Sequence, residues 1–179
     1  MLFRSHTGQL VWEWNNGHAN RMFSAAACYP VVANNRVFIV APDRYMTALD
    51  LKTGQVIWRE KKDEYRVRES MGLSFDKKHV YAKTMDGELI GVPVTSSFMD
   101  VSWKSALKLP YELTPSAIYS NKDIIVVPNN SGLVSAVHPK SGEVLWQYKI
   151  SNGMVNPPLV TKNYIIASTM DGKIVKLTY

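Results

Sequence analysis

The sequence predicts an all-β repeat fold, and two recurring features of the 179-residue chain predict it. The first is a tryptophan that recurs at Trp12, Trp58, Trp103 and Trp146, with spacings of 46, 45 and 43 residues. The second is a turn of the Asp-Gly type that keeps the same phase between them. A period of roughly 40 to 50 residues is typical of the four-stranded blade of a propeller. No amphipathic helical pattern of useful length occurs, so we expect a β-propeller.

The residues before the tryptophans also repeat. Segments 7–12, 53–58 and 141–146 each place Thr or Ser before a glycine, followed by an apolar run into the tryptophan. Thr-Met-Asp-Gly at 84–87 returns at 169–172, and segments 130–132 and 43–44 occupy the corresponding places. Glycines in such tight hairpins supply a positive φ. The structural glycines predicted in this way are Gly8, Gly54, Gly87, Gly132, Gly142 and Gly172. Each repeat tryptophan is interpreted as a large apolar wedge between adjacent blades.

The runs of β-forming residues between these turns give the expected strands. We predict strands at about 9–14, 36–41, 45–50, 55–60, 79–84, 88–94, 123–128, 133–138, 143–149, 164–168 and 173–178, with more irregular inner strands. The chain is then one domain, residues 1–179. Its repeat units are 1–16 (the end of a blade), 17–62, 63–107, 108–149 and 150–179.

Segment 48–58, Ala-Leu-Asp-Leu-Lys-Thr-Gly-Gln-Val-Ile-Trp, resembles the PQQ-like repeat, whose consensus is ALDxxTGxxxW. The resemblance spans almost the whole chain. It departs from the pattern at 94–98, where Val-Thr-Ser-Ser-Phe replaces the Thr-Gly turn, and the final repeat stops before its tryptophan. The family resemblance implies a β-propeller in a periplasmic or extracellular setting. We expect an arc of about four blades from a seven- or eight-bladed propeller, the alternative being a four-bladed ring closed by the strand at 10–14.

Composition and charge exclude several classes of protein. A hydrophobic content of 46% with 20% charged residues is ordinary for a globular domain. The net charge of +6 comes from scattered basic residues, and the densest run, 59–68, is interrupted by three acids and carries no nucleic-acid-binding motif. No apolar stretch approaches the roughly 18 to 20 residues of a membrane-spanning helix, and residues 1–6 lack the pattern of a secretory signal. We therefore expect neither nucleic-acid binding nor direct membrane insertion.

No constellation of catalytic or metal-binding residues stands out. The histidines His6, His18, His79 and His138 are far apart in the sequence, and Cys28 is the single cysteine. There is no nucleophile elbow, no phosphate-binding loop and no dinucleotide motif. The quinone enzymes of the PQQ-like family use a vicinal cysteine pair and calcium ligands, which this sequence does not offer. The chain is predicted to have no catalytic residues, no metal site and no cofactor, and not to be an enzyme.

The remaining candidate is the central channel, where the inner strands of all blades converge. Aligning the repeats sets Ala26, Arg68, Glu112 and Met154 at one level, and Cys28, Ser70, Thr114 and Asn156 two residues further on. Period-two spacing puts both levels on one strand face. The candidate binding residues are therefore Arg68, Ser70, Glu112, Thr114 and Asn156. Arg68 and Glu112 either neutralise each other beside channel water or contact a polar ligand.

The sequence thus favours a non-catalytic binding or scaffolding module. By resemblance it is similar to the extracytoplasmic assembly-factor lipoproteins that hold outer-membrane β-barrel machinery through propeller loops. The expected partner is another protein or the remaining blades of the same propeller, and self-association is expected as well. The alternatives are an accessory propeller domain of a larger metallophosphoesterase-like hydrolase or kinase, and a fragment of a quinoprotein dehydrogenase.

Overall fold

The computed structural model describes residues 2–3, 7–17, 29–112 and 114–179, with residues 2–3 as backbone alone. Within these ranges the regular structure is β-strand throughout, apart from one short 3-10 turn at Asp63–Tyr65. The all-β prediction is confirmed. Ala26 and Cys28, which the alignment set on the first inner strand, lie outside the described residues.

Three complete four-stranded antiparallel sheets follow one another along the chain. Blade 1 contains β3 (Val31–Ala33), β4 (Arg36–Val40), β5 (Met46–Asp50) and β6 (Val56–Glu60). Blade 2 contains β7 (Val67–Leu73), β8 (His79–Thr84), β9 (Leu89–Pro93) and β10 (Trp103–Lys104). Blade 3 contains β11 (Tyr119–Ser120), β12 (Ile125–Pro128), β13 (Leu133–Val137) and β14 (Val144–Lys149). In each blade the strands pair in sequence order from the inner to the outer edge.

Two smaller sheets lie at the ends of the described chain. A leading ribbon pairs β1 (Leu2–Phe3) with β2 (Leu10–Trp12). Blade 4 has three strands, β15 (Leu159–Val160), β16 (Tyr164–Ser168) and β17 (Ile174–Thr178). The observed strands lie within about two residues of those the sequence predicts, since the turn residues fix where each strand can begin. Within the described residues β17 pairs only with β16 and β2 only with β1, so the predicted alternative of a ring closed by these two strands is not formed.

The turns adopt the conformation that the glycines predict. All six glycines have positive φ: Gly8, Gly54, Gly87, Gly132, Gly142 and Gly172. At Gly87, whose φ is 78°, an added Cβ would lie 2.2 Å from the carbonyl oxygen of Leu109, so both conformation and space require glycine. Blade 1 has no glycine at the equivalent turn, and Arg44 takes the left-handed conformation there with φ 66°.

The repeat tryptophans join each blade to the next. Trp12 donates its indole N–H to the Leu51 carbonyl at 2.9 Å, and its ring packs so closely on Gly54 that a Cβ would come within 2.6 Å. Trp103 packs on Gly142 in the same manner. Trp58 donates to the Ser96 carbonyl at 3.0 Å, within the segment that replaces the Thr-Gly turn.

Burial of these tryptophans is less uniform than the wedge interpretation suggests. Trp58 is buried, with 6% of its surface exposed, whereas Trp12, Trp103 and Trp146 are half-buried. Trp58 also contacts the Phe38 ring, with the ring centroids 6.2 Å apart. Of the four, Trp58 therefore lies deepest between two blades.

The core is divided into one apolar cluster at each blade interface. Phe38 and Met71 lie in the cluster between blades 1 and 2. Tyr81 and Ile125 lie between blades 2 and 3, and Ile165 lies in the cluster of blades 3 and 4. Burial of strand faces against a neighbouring blade is therefore the main stabilising interaction of this fold.

Candidate functional site

The five predicted binding residues are not all on inner strands. Arg68 and Ser70 lie on β7, but Glu112, Thr114 and Asn156 lie in the irregular segments that precede β11 and β15. The prediction that all five lie on one face of the inner strands is therefore wrong for Glu112, Thr114 and Asn156. Prolines explain the difference, because proline cannot donate a hydrogen bond to a β-ladder. Pro110 and Pro115 flank the segment that contains Glu112 and Thr114, and Pro157 follows Asn156.

Arg68 does not pair with Glu112. Its guanidinium carbon lies 4.6 Å above the centre of the Tyr111 ring, a cation–π geometry, and its Nε atom is 3.9 Å from the carboxylate of Glu69. Tyr111 is 65% exposed. The Arg68 side chain is 13% exposed, so a mostly buried cation lies on an aromatic platform, beside a small cavity of about 170 Å³ that Arg44 also lines.

Glu112 instead forms a buried ion pair with Lys83 of β8. The Lys83 Nζ atom lies 2.8 Å from a Glu112 carboxylate oxygen, 2.6 Å from the Ser116 hydroxyl and 2.7 Å from the Pro128 carbonyl oxygen. The other Glu112 oxygen accepts the backbone N–H of Asn130 at 3.0 Å. We call this group the blade 2–3 clamp: Lys83, Glu112, Ser116, the Pro128 carbonyl and the Asn130 N–H.

The clamp satisfies its charges internally. The side chains of Lys83 and Glu112 are 3% and 6% exposed, and the three donors of the ammonium group each have an acceptor. Burial lowers the pKa of Lys83, and the Glu112 carboxylate opposes that shift. Ser70 extends the network, because its hydroxyl accepts the Ser116 backbone N–H at 3.0 Å. Ser70 and Glu112 thus take part in hydrogen bonds that connect blades 2 and 3.

The sequence analysis did not single out Lys83. The signal was present, because Val40 and Pro128 occupy the equivalent positions in the neighbouring blades and a lysine there breaks the apolar pattern. Its partner could not have been identified by spacing, since Glu112 is 29 residues away in an irregular segment.

Thr114 and Asn156 each form hydrogen bonds with neighbouring side chains. The Asn130 amide donates to both the carbonyl and the hydroxyl of Thr114 at 2.8 Å, and the Thr114 hydroxyl lies 4.0 Å from the Met154 sulfur. Asn156 donates to the Ser168 hydroxyl at 3.1 Å. A cavity of about 140 Å³ is lined in part by Tyr29, Tyr119 and Met154, and by Asn130, the partner of Thr114. Of the predicted residues, Arg68 lines a cavity, whereas Thr114 and Asn156 line neither of these two cavities.

The described part of the chain contains no group of three or more His, Cys, Asp or Glu residues arranged to hold a metal ion. Over the same residues, no helix has the length and apolar character needed to cross a membrane. What these surfaces offer is hydrogen-bonding, aromatic and cationic contact, which suits recognition.

The fold and the repeats define a β-propeller of PQQ-like blades. A family model described as the outer membrane protein assembly factor BamB matches residues 2–99 and 99–178, which is nearly the whole chain. The chain therefore belongs to that family, and the predicted family is confirmed. It is 25% identical over 177 residues to the Escherichia coli outer membrane protein assembly factor BamB, a match that covers 96% of this chain and 43% of the relative. The corresponding protein of Moranella endobia is 23% identical, with 93% and 42% covered. The chain thus spans less than half the length of the curated relatives it matches.

Solved structures support the fold. The crystal structure of BamB from Moraxella catarrhalis aligns with a TM-score of 0.61 at 16% identity, covering 83% of this chain and 45% of that one. The computationally designed Ika4 protein aligns with a TM-score of 0.66 at 15% identity, covering 88% of this chain and 95% of the designed one. A quinohemoprotein alcohol dehydrogenase from Pseudomonas putida aligns at 0.57 and 17% identity, over 74% of this chain. At these identities the likeness concerns fold alone.

Proposed function

We propose that this chain is a non-catalytic propeller module that binds a protein partner in outer-membrane protein assembly, in the periplasm. The observation that carries the proposal is the family match across both halves of the chain. The described residues add support, because Arg68 and the exposed Tyr111 ring offer cationic and aromatic contact. The function is therefore scaffolding by surface contact.

The contact surface we propose combines Arg68, Tyr111 and Arg44 with Thr114 and Asn156. Arginine and tyrosine are enriched among residues that dominate binding energy at interfaces. Arg68 is oriented by the Tyr111 ring, so little side-chain entropy is lost when it contacts a partner. An acidic loop of the partner would complement the two arginines.

The experiment is a binding titration against the purified periplasmic part of the outer-membrane β-barrel assembly machinery from the same organism. Arg68→Ala is expected to weaken binding by about tenfold or more, as for an interface arginine worth roughly 1.4 to 2 kcal/mol. Lys52→Ala, an exposed lysine in the outer turn of blade 1, is the matched control and should leave affinity unchanged. Equal affinities of Arg68→Ala and the unsubstituted chain would contradict the proposed surface.

The same proposal predicts the absence of quinone chemistry. Calorimetry with pyrroloquinoline quinone and calcium should give no saturable heat. The sequence contains one cysteine and so no vicinal pair, and the described residues contain no metal-ligand cluster. Micromolar binding would instead favour the quinoprotein alternative.

We also infer self-association through β17. Among the described residues this strand has one hydrogen-bonded neighbour; Ile174 on the strand is 74% exposed, and Met170 in the turn before it is 70% exposed. An unpaired edge strand with exposed apolar residues is a template for pairing with another chain. Sedimentation velocity across the micromolar range should reveal a concentration-dependent dimer that Ile174→Glu abolishes, while Leu145→Glu on β14 does not. A monomer at all concentrations would refute this inference.

A further inference from the structure

A larger cavity lies between blades 2 and 3, away from the surfaces described above. We call it the blade 2–3 cleft. It has a volume of about 600 Å³ and is formed by three turns: the β7–β8 turn (74–79), the β11–β12 turn (121–123) and the β13–β14 turn (138–140). This is the size range of small-molecule and short-peptide sites.

The wall of the cleft contains a donor with no acceptor. Tyr81 is 1% exposed, and its hydroxyl has no hydrogen-bond partner. Burial, reinforced by the charge of Asp76, raises the pKa of Tyr81, and the nearby Ser74 side chain opposes that rise without reaching hydrogen-bond geometry. The hydroxyl therefore stays protonated. A buried polar group left unpaired is uncommon in proteins, and such a group beside a cavity is explained when a ligand or water supplies the acceptor.

Histidines contribute from both blades. The Nδ1 atom of His138 accepts the Ser141 backbone N–H at 3.3 Å. In the tautomer in which Nδ1 accepts this bond, the proton of the neutral ring is on Nε2, which can donate. His79 faces the cleft from the start of β8. The imidazoles therefore add donors between the Tyr81 wall and the rim.

The charged groups of the rim are two lysines and two aspartates. Lys122 and Lys140 are exposed and line the cleft, as does Asp123. Asp76 is already engaged, since one carboxylate oxygen accepts from the Ser74 hydroxyl at 2.7 Å and from the Lys78 N–H at 3.1 Å. Donors thus outnumber the uncommitted acceptor oxygens, and the charges of both Asp76 and Asp123 oppose a bound anion.

We propose that the blade 2–3 cleft binds a carboxylate, held by Lys122, Lys140 and the Nε2–H of His138, with the Tyr81 hydroxyl as a further donor. Charge-assisted hydrogen bonds from ammonium and imidazole groups to a carboxylate are the strong ones in proteins. The exposed ring of Phe75, 64% exposed at the rim, offers apolar contact to the rest of the ligand. The carboxylate comes from a free small acid or from an acidic side chain of a peptide.

The test uses three probes with the full chain, by NMR or calorimetric titration at low salt. The probes are glutarate, the blocked peptide Glu-Gly-Glu and the blocked peptide Gln-Gly-Gln. We expect saturable binding of at least one carboxylate probe and none of the Gln peptide. A preference for glutarate identifies a small-acid site, and a preference for the Glu peptide identifies a peptide site.

Four variants relate the binding to the cleft. Lys140→Gln should weaken binding about tenfold, as expected for the loss of a charged hydrogen bond. Asp123→Asn should tighten it, because a repulsive charge is removed. Lys52→Gln, remote from the cleft, is the control. Tyr81→Phe should weaken binding while leaving the melting temperature unchanged or higher, because it deletes an unpaired buried hydroxyl without changing the ring.

Two results would overturn the proposal. One is the absence of saturable binding by either carboxylate probe. The other is binding that Lys140→Gln and Asp123→Asn leave unchanged. Either result leaves the proposed protein partner unaffected, because that proposal depends on Arg68 and is measured with a different ligand.

Discussion

The junction between blades 2 and 3 and the outer part of blade 4 use the same repeat but differ in burial. At the junction, strands β9 and β13 are almost wholly buried, and the clamp of Lys83 and Glu112 crosses from one blade to the other. In blade 4 the equivalent strand β17 alternates exposed and half-buried residues. This difference indicates that the strand residues of a blade are buried largely by the neighbouring blades, as in other repeat proteins.

The largest expected effect comes from the most buried repeat tryptophan, compared with a half-buried one. Trp58→Ala should lower the free energy of unfolding by roughly 3 to 5 kcal/mol, because it opens a cavity between blades 1 and 2. Trp146→Ala should cost roughly 1 to 2 kcal/mol, since Trp146 is half-buried. Denaturant unfolding measures both values. A loss below about 1 kcal/mol for Trp58→Ala would contradict its role as an interblade wedge.

Breaking the clamp should cost about as much. Glu112→Ala leaves the Lys83 ammonium without its counter-ion in the interior, and truncating one partner of a buried pair typically costs roughly 3 to 5 kcal/mol. The double substitution Lys83→Met with Glu112→Leu removes both charges and should recover most of that loss. If the double variant is as unstable as Glu112→Ala, the clamp contributes through geometry rather than through charge.

Substituting one isoleucine in each region compares their contributions to stability directly. Ile125→Ala, in a side chain that is 0% exposed between blades 2 and 3, should cost roughly 2 to 5 kcal/mol. Ile174→Ala, in a side chain that is 74% exposed on β17, should change stability by less than about 0.5 kcal/mol in dilute solution. A large loss for Ile174→Ala that grows with protein concentration would mean that self-association buries this residue.

The fold was predictable because its signals are local. The turn glycines and the tryptophan that follows them stand within a few residues, so segments such as 53–58 fix both a hairpin and the phase of the next blade. The inner segments lack such signals, and prolines at 110, 115 and 157 interrupt them. Alignment by turn spacing therefore set Glu112 and Asn156 on inner strands, whereas both residues precede strands β11 and β15.

The clamp and the cleft needed the structure. Lys83 meets Glu112 across 29 residues, and the cleft brings together turns from 74–79 to 138–140. These sequence separations do not follow the repeat period, so the sequence pattern does not reveal either contact. The sequence identified Arg68 as a candidate but not the Tyr111 ring that orients it, because cation–π contacts have no fixed spacing.

The smallest expected effect concerns acid and the link from blade 3 to blade 4. Hydrogen bonds from the hydroxyls of Thr169 and Ser151 lower the pKa of Asp171 below its usual value of 3.8. A carboxylate whose folded pKa is lowered stabilises the fold above pH 3.8 and loses that contribution as the pH falls through the folded pKa. The melting temperature should therefore drop on acidification below about pH 4. Asp171→Asn should have a lower melting temperature than the unsubstituted chain at pH 7 and a shallower acid dependence. The control is Asp123→Asn, which removes a carboxylate from an exposed turn of blade 3 and should keep the acid dependence unchanged. Identical acid profiles for Asp171→Asn and the unsubstituted chain would mean that the link from Ser151 to Asp171 does not stabilise blade 4.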